Sequence, residues 1–223
     1  MTEADLNSAR GSSEFPHIDF DALYRGESPG EGIAPVATPP WDTKAPSESV
    51  IRWQSTGWIN GDVLDVGCGY GDNAVYLAEH GHAVTALDIS PTALATAEER
   101  ATEAGVDVRF AVADSTQLDG YTGGFDTVID VGMLHSLDDQ GRRRYAAAVH
   151  RATRPGATLL LSCFSDANPV GKDPRPAVSE ETLRAILGSA GWDITSIEPA
   201  TVPGELDGAE ADMAFWYLRA ERR

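Results

Sequence analysis

The stretch Asp62-Val63-Leu64-Asp65-Val66-Gly67-Cys68-Gly69-Tyr70-Gly71-Asp72-Asn73 decides the fold. An apolar run biased toward β-branched residues meets three closely spaced glycines. A segment with Ala74, Val75, Leu77 and Ala78 at helical spacing follows, so the whole reads as buried strand, turn and helix. Glycine at 67, 69 and 71 permits positive φ and removes every Cβ from the turn, which lets a ligand lie directly on main-chain atoms. The helix that opens next offers unpaired N–H groups to an anionic group. At this level a glycine turn that serves only as a tight connection would look the same.

The spacing narrows the ligand. A dinucleotide fingerprint is G-x-G-x-x-G, and here Asp72 stands where its third glycine belongs. Asp65 aims a second carboxylate at the turn, which would repel a pyrophosphate and suit an ammonium group. S-adenosylmethionine carries a carboxylate for the helix end, an amino group for Asp65 and a ribose for a later acid, so it fits better than a nicotinamide dinucleotide. Leu64-Asp65-Val66-Gly67-Cys68-Gly69-Tyr70-Gly71 resembles motif I of the class I S-adenosylmethionine-dependent methyltransferases. That resemblance implies an α/β, doubly wound, Rossmann-like fold: a seven-stranded, mostly parallel sheet with an antiparallel last strand. It also implies S-adenosylmethionine as cofactor, S-adenosylhomocysteine as product, and Asp65, Gly67, Cys68 and Gly69 as cofactor-binding residues.

Downstream, the pattern repeats on schedule. Ala83 to Asp88 reads as the second strand, and Asp88 closes it at the distance where an acid can accept from ribose hydroxyls, with Ile89 beside it; the plainer reading is a polar strand end. Ser90-Pro91 then caps a helix running to Gly105. After a third strand over Val106 to Val112, Ala113-Asp114-Ser115 resembles the family's acidic turn, which implies that Asp114 and Ser115 meet the adenine edge; the alternative is an Asx turn without a ligand. Phe125 to Val131 is the fourth strand. Its carboxyl end places Asp130 at the cofactor cleft and Met133 and His135 nearest a methyl acceptor. His135 has a side chain suited to general-base work at neutral pH, and a histidine here can equally be a local packing residue.

Upstream, Phe20-Asp21-Ala22-Leu23-Tyr24-Arg25-Gly26 precedes a Gly- and Pro-rich loop ending in Thr38-Pro39-Pro40-Trp41-Asp42. An aromatic arm before the first strand has little to pack on unless it folds back as a lid. Pro40-Trp41-Asp42 is similar to a segment of the thiopurine, thiol and halide methyltransferases. Tyr24-Arg25-Gly26 followed by Pro40-Trp41 resembles small actinobacterial relatives that methylate heterocyclic toxins or quinone-like compounds. The resemblance implies Trp41 as cofactor cover, against the alternative of a core aromatic, and Tyr24 as a substrate neighbour. It departs at Lys44, where the group usually carries glycine.

The rest of the chain sets bounds. One domain is expected for 223 residues: residues 1–14 as a disordered tail, 15–60 as an N-terminal arm and helix (Pro46 to Gly57) covering the cleft, and 61–223 as the methyltransferase domain. No apolar run is long enough to span a bilayer and no signal peptide is visible, so a cytoplasmic location is expected. Two cysteines without ligand spacing predict neither a disulfide framework nor a metal site. A formal charge of −18, with 35 acidic and 17 basic residues, argues against nucleic acid as partner. A small-molecule methyl acceptor remains: a thiol, a phenolic or quinone oxygen, or a heterocyclic nitrogen. A non-catalytic binder of the same cofactor and a nicotinamide-dependent oxidoreductase are the rivals. Nothing in the sequence fixes the oligomeric state. Toward the C-terminus, Asp138 to Arg154 is expected as a helix with Arg142-Arg143-Arg144 on its solvated face, and Ala157 to Phe164 as a strand. A proline-rich loop from Ser165 to Val178 is expected on the cleft side, then a helix capped by Ser179. Trp192 to Ile197 and Met213 to Ala220 close the chain as a hairpin.

Overall fold

The computed structural model describes residues 18–168, 177–206 and 209–223. Its elements in chain order are α1 (Phe20–Tyr24), α2 (Glu48–Ser55), β1 (Asp62–Val66), α3 (Asp72–Glu79), β2 (Ala83–Asp88), α4 (Pro91–Ala104), β3 (Val108–Val112) and β4 (Phe125–Val131). A short 3₁₀ turn (Leu134–Ser136) leads to α5 (Asp139–Ala152), β5 (Thr153–Phe164), α6 (Glu180–Ser189), β6 (Trp192–Leu206) and β7 (Ala209–Arg222).

The strands form one seven-stranded sheet in the order β3-β2-β1-β4-β5-β7-β6. All pairs from β3 to β5 are parallel, and β7 runs antiparallel to both β5 and β6. The expected doubly wound sheet with an antiparallel last strand is therefore present. The chain winds outward from β1 to β3 and then returns to β4, so the crevice between the carboxyl ends of β1 and β4 is the switch point where such sheets take ligands.

Side chains alternate across the sheet as the pleat demands. On β1, Leu64 and Val66 join the core under α5 and α6, whereas Val63 joins the core under α2, α3 and α4. Leu159, Leu161 and Cys163 of β5 divide from Leu160 in the same way. The helices start where caps allow: Ser90 Oγ accepts from Ala93 N with Pro91 at the first turn, Asp138 Oδ1 accepts from Gly141 N, and Ser179 Oγ accepts from Thr182 N.

Several expectations shift. The third strand begins at Val108, and β5 begins at Thr153, because Thr153 pairs with Phe125 and carries Pro155-Gly156 along. The final hairpin is much longer than the expected pair of short strands, its register running from Trp192↔Arg222 to Leu206↔Ala209. Arg142 is buried rather than solvated, its guanidinium reaching Asp139 and the carbonyl of His135. The described part of the segment, 18–60, divides in two. Val50 and Trp53 of α2 are fully buried in the core below the sheet, so α2 belongs to the sandwich, whereas α1 and the loop through Trp41 and Asp42 lie at the glycine turn. The predicted tail 1–14 and most of the proline-rich loop fall outside the described residues. Among the described residues no helix is long and apolar enough to cross a membrane, and no cluster of His, Cys, Asp or Glu could hold a metal.

Candidate active site

Gly67, Gly69 and Gly71 all adopt positive φ, at 72°, 54° and 82°. Each also sits against a neighbour that a Cβ would strike. A Cβ on Gly67 would lie 3.0 Å from Met133 Sδ, one on Gly69 2.8 Å from Tyr24 Oη, and one on Gly71 2.8 Å from Ala97 Cβ. Gly71 thus brings α4 against the turn, the task the missing third glycine performs in a dinucleotide site. The turn is tied to β2 by Gly67 N and Cys68 N, both donating to Leu87 O, and by Gly69 N donating to Asp88 Oδ2 at 2.8 Å.

Asp65, Asp88 and Asp130 meet at the carboxyl ends of β1, β2 and β4. Asp65 is 2% exposed, and its Oδ2 has no hydrogen-bond partner in the structure. Burial pushes its pKa up to about 8, and the Asp88 and Asp130 charges push the same way. A buried acceptor with no donor costs free energy of order 1–3 kcal/mol, so the site is complementary to a ligand that brings an ammonium group. Asp88, 7% exposed, is raised by burial, while the N–H groups of Ser90, Gly69 and Ile89 pull it back. It uses Oδ2 for Gly69 N and Oδ1 for Ser90 N; a carboxylate offers about four lone-pair sites, so each oxygen retains accepting capacity. Ile89 is 57% exposed, an apolar side chain standing in the open beside it.

Asp130 differs from the expectation of a residue facing the cleft. It is fully buried, and its oxygens accept from Met133 N at 2.8 Å and Leu134 N at 3.1 Å. Burial raises it to about 6 against the pull of the Tyr145 phenol and those two N–H groups. It shapes the turn that carries Met133. His135 Nδ1 accepts from Phe164 N at 3.1 Å, the local hydrogen bond that a packing histidine makes, which leaves Nε2 as the ring nitrogen turned to other work.

Asp114 is half-buried in an Asx turn: Oδ1 accepts from Thr116 N and Oγ1, and Oδ2 accepts from Gln117 Nε2. Burial would raise its pKa, and these bonds outweigh it and hold the carboxyl below its usual value. Ser115 is half-buried beside it. The Cys68 thiol donates weakly to Gly69 O, and burial, with the Asp65 and Asp88 charges, keeps it well above its ordinary range and protonated. Both cysteines are free.

The arm docks on this turn through three separate contacts. Asp21 Oδ1 accepts from Ser90 Oγ at 2.6 Å and Thr92 N at 3.1 Å, fastening α1 to the start of α4. Tyr24 lies over Gly69 with its ring 5.0 Å from Tyr70, and Trp41 Nε1 donates to Tyr24 Oη at 3.0 Å. Burial, with Asp88 nearby, lifts the Tyr24 phenol far up, so the hydroxyl stays neutral. Arg100, which the sequence reading missed, grips Asp72 at 2.6 Å and Asp42 at 3.0 Å and lies 4.9 Å over the Tyr70 ring. Its partners are 28 and 58 residues away, and only the spacing of Arg100 on the inward side of a predicted helix could have hinted at it. Lys44 has φ 55°, the left-handed conformation that glycine adopts at least cost.

Comparison with known proteins places these features in context. A methyltransferase domain model matches residues 63–156. The 2-heptyl-1-hydroxyquinolin-4(1H)-one methyltransferase of Mycobacteroides abscessus is 37% identical over 222 residues, spanning 91% of this chain and 96% of its own. A solved structure described as "Conversion of a Disulfide Bond into a Thioacetal Group during Echinomycin Biosynthesis" is 38% identical with a TM-score of 0.79, covering 91% of this chain and 90% of that one. The Burkholderia thailandensis 1,6-didemethyltoxoflavin-N1-methyltransferase, solved with 1,6-didemethyltoxoflavin and S-adenosylhomocysteine bound, is 25% identical with a TM-score of 0.62 over 78% of this chain and 76% of that one.

Proposed function

Because the chain belongs to the S-adenosylmethionine-dependent methyltransferases, we propose that it methylates a small soluble or lipophilic acceptor at a phenolic or quinone-type oxygen, a ring nitrogen or a thiol. The observation that carries this reading is the unpartnered, buried Oδ2 of Asp65 beside a turn whose three glycines leave no room for side chains. Support for the acceptor class comes from two similar proteins, a methyltransferase named for 2-heptyl-1-hydroxyquinolin-4(1H)-one and one named for 1,6-didemethyltoxoflavin N1.

In this reading Asp65 takes the ammonium group, and the backbone of Gly67, Cys68 and Gly69 receives the amino-acid end. Asp88 accepts from the ribose hydroxyls, Ile89 packs on the base, and Asp114 with Ser115 meets the adenine edge. Trp41 and Tyr24 close the site from the arm, and Met133 borders the acceptor. When bound, S-adenosylmethionine supplies a methyl group on a sulfonium whose departure leaves a neutral thioether. The chain's own residues orient, enclose and exclude water; alignment of this kind is a large contribution to a bimolecular displacement. With Nδ1 of His135 occupied by Phe164 N, no base is assigned, and the acceptor arrives as an anion or a soft nucleophile. A cytoplasmic setting is part of the same reading.

The test pairs binding with turnover. Calorimetry is expected to give S-adenosylhomocysteine binding and no heat for NADH, and mass spectrometry a gain of one methyl on 2-heptyl-1-hydroxyquinolin-4(1H)-one. Binding without transfer to any thiol, hydroxyquinolone or hydroxyquinone would turn the assignment toward a non-catalytic sensor, and absence of binding would end it.

A further inference from the structure

Between the glycine turn and the final hairpin runs a stripe of side chains outside the cofactor site. It starts at Met133, packed on Gly67. The His135 ring follows, 4.5 Å from Phe164 at an interplanar angle of 34°, and Phe164 lies 4.6 Å from Phe215 at 44°. All four side chains are half-buried. Their positions follow from topology: Phe164 is the last residue of β5 and pairs directly with Phe215 on β7. Because β7 is antiparallel, its residues before Phe215 continue past the end of β5. Paired there with β6 from Thr201 to Leu206, they rise on the side of the sheet where β1, β2 and β4 end.

One side chain fixes this ribbon. Asn168 receives Ala214 N at Oδ1 (2.7 Å) and donates from Nδ2 to Ala214 O (2.6 Å) and Ser165 O (2.9 Å). Its amide acts as one more peptide unit in the β5–β7 ladder, holding the backbone next to Phe215 in register.

Resting on the proposed methyltransferase activity, we infer that Phe164 and Phe215 form the acceptor platform, that the acceptor is a planar aromatic rather than an aliphatic thiol, and that Asn168 positions the platform. Aromatic rings at these separations and tilts pack favourably, and a planar aromatic acceptor extends the same kind of contact. The chain's charge of −18 also disfavours polyanionic acceptors.

Phe164→Leu and Phe215→Leu keep apolar bulk and remove the ring. Each is expected to raise KM for 2-heptyl-1-hydroxyquinolin-4(1H)-one about tenfold, with S-adenosylhomocysteine affinity by calorimetry held within about twofold of wild type, and KM for 2-mercaptoethanol unmoved. Asn168→Ala is expected to raise the quinolone KM with kcat little changed. Wild-type enzyme is expected to favour the quinolone over the thiol in kcat/KM. An unchanged quinolone KM in both phenylalanine variants, or a wild-type preference for the thiol, overturns the platform while the methyltransferase reading stands. Failure of wild-type enzyme to bind S-adenosylhomocysteine removes both.

Discussion

Asp65 provides the most quantitative handle on the site. With its pKa near 8, the carboxyl is almost entirely protonated at pH 6.5, and an ammonium ligand can pair with it only after the proton leaves. At that pH the deprotonation costs about 2 kcal/mol, from 1.36 kcal/mol per pH unit. A charge-assisted hydrogen bond returns roughly 1.5–3 kcal/mol, so the two effects nearly cancel. Binding is therefore expected to expel close to one proton while gaining little net affinity from the ion pair. The assay is titration of S-adenosylhomocysteine at pH 6.5 in phosphate, Pipes and imidazole. The observed heat should change with buffer ionisation enthalpy at a slope near one proton released. Asp65→Asn should abolish the slope and weaken binding by no more than about tenfold, since the amide oxygen still accepts without losing a proton. A wild-type heat independent of buffer would refute the reasoning.

Stability of the ligand-free protein carries the same signature. Asp65 and Asp130 have folded pKa values raised to about 8 and about 6, above the unfolded value. Their contribution is fully present below about pH 4 and is lost as pH rises through those values. Thermal melts from pH 5 to pH 8 should show this part of stability falling, and Asp65→Asn should flatten the upper half of the curve. Lys44→Gly relieves a left-handed residue and is expected to raise stability by up to about 1 kcal/mol in urea unfolding; a loss of stability would mean that the lysine side chain holds the loop. His135→Ala should leave S-adenosylhomocysteine binding intact and lower kcat less than about tenfold, with the pH–rate profile unmoved; a collapse of kcat together with a lost inflection would restore the histidine as a base.

Much of this architecture is written locally. Glycine triplet, Ser90-Pro91 cap and Ser179 cap each combine a backbone requirement with the side chain that meets it, so each could be placed from a few neighbouring residues. The length of β6 was illegible for a physical reason. Pro199, Pro203 and Gly204 look like breakers, yet β6 is an edge strand, where a missing N–H can face outward without loss. Arg142 misled because three arginines in a row look solvated, and only the folded position of His135 O shows why one is drawn inside. Among the site residues, Asp65 and Asp88 follow from strand ends, whereas the Arg100 bridge depends on residues that the linear chain keeps far apart. The Tyr24–Trp41 contact does so as well.

The docking of the arm also bears on biosynthesis. Asp21 finds Ser90 and Thr92 only across 69 and 71 residues of chain, so a nascent polypeptide leaving the ribosome presents Phe20, Tyr24 and Trp41 bare until α4 has emerged. An aromatic segment translated ahead of its docking helix thereby finds its place only after that helix has followed it.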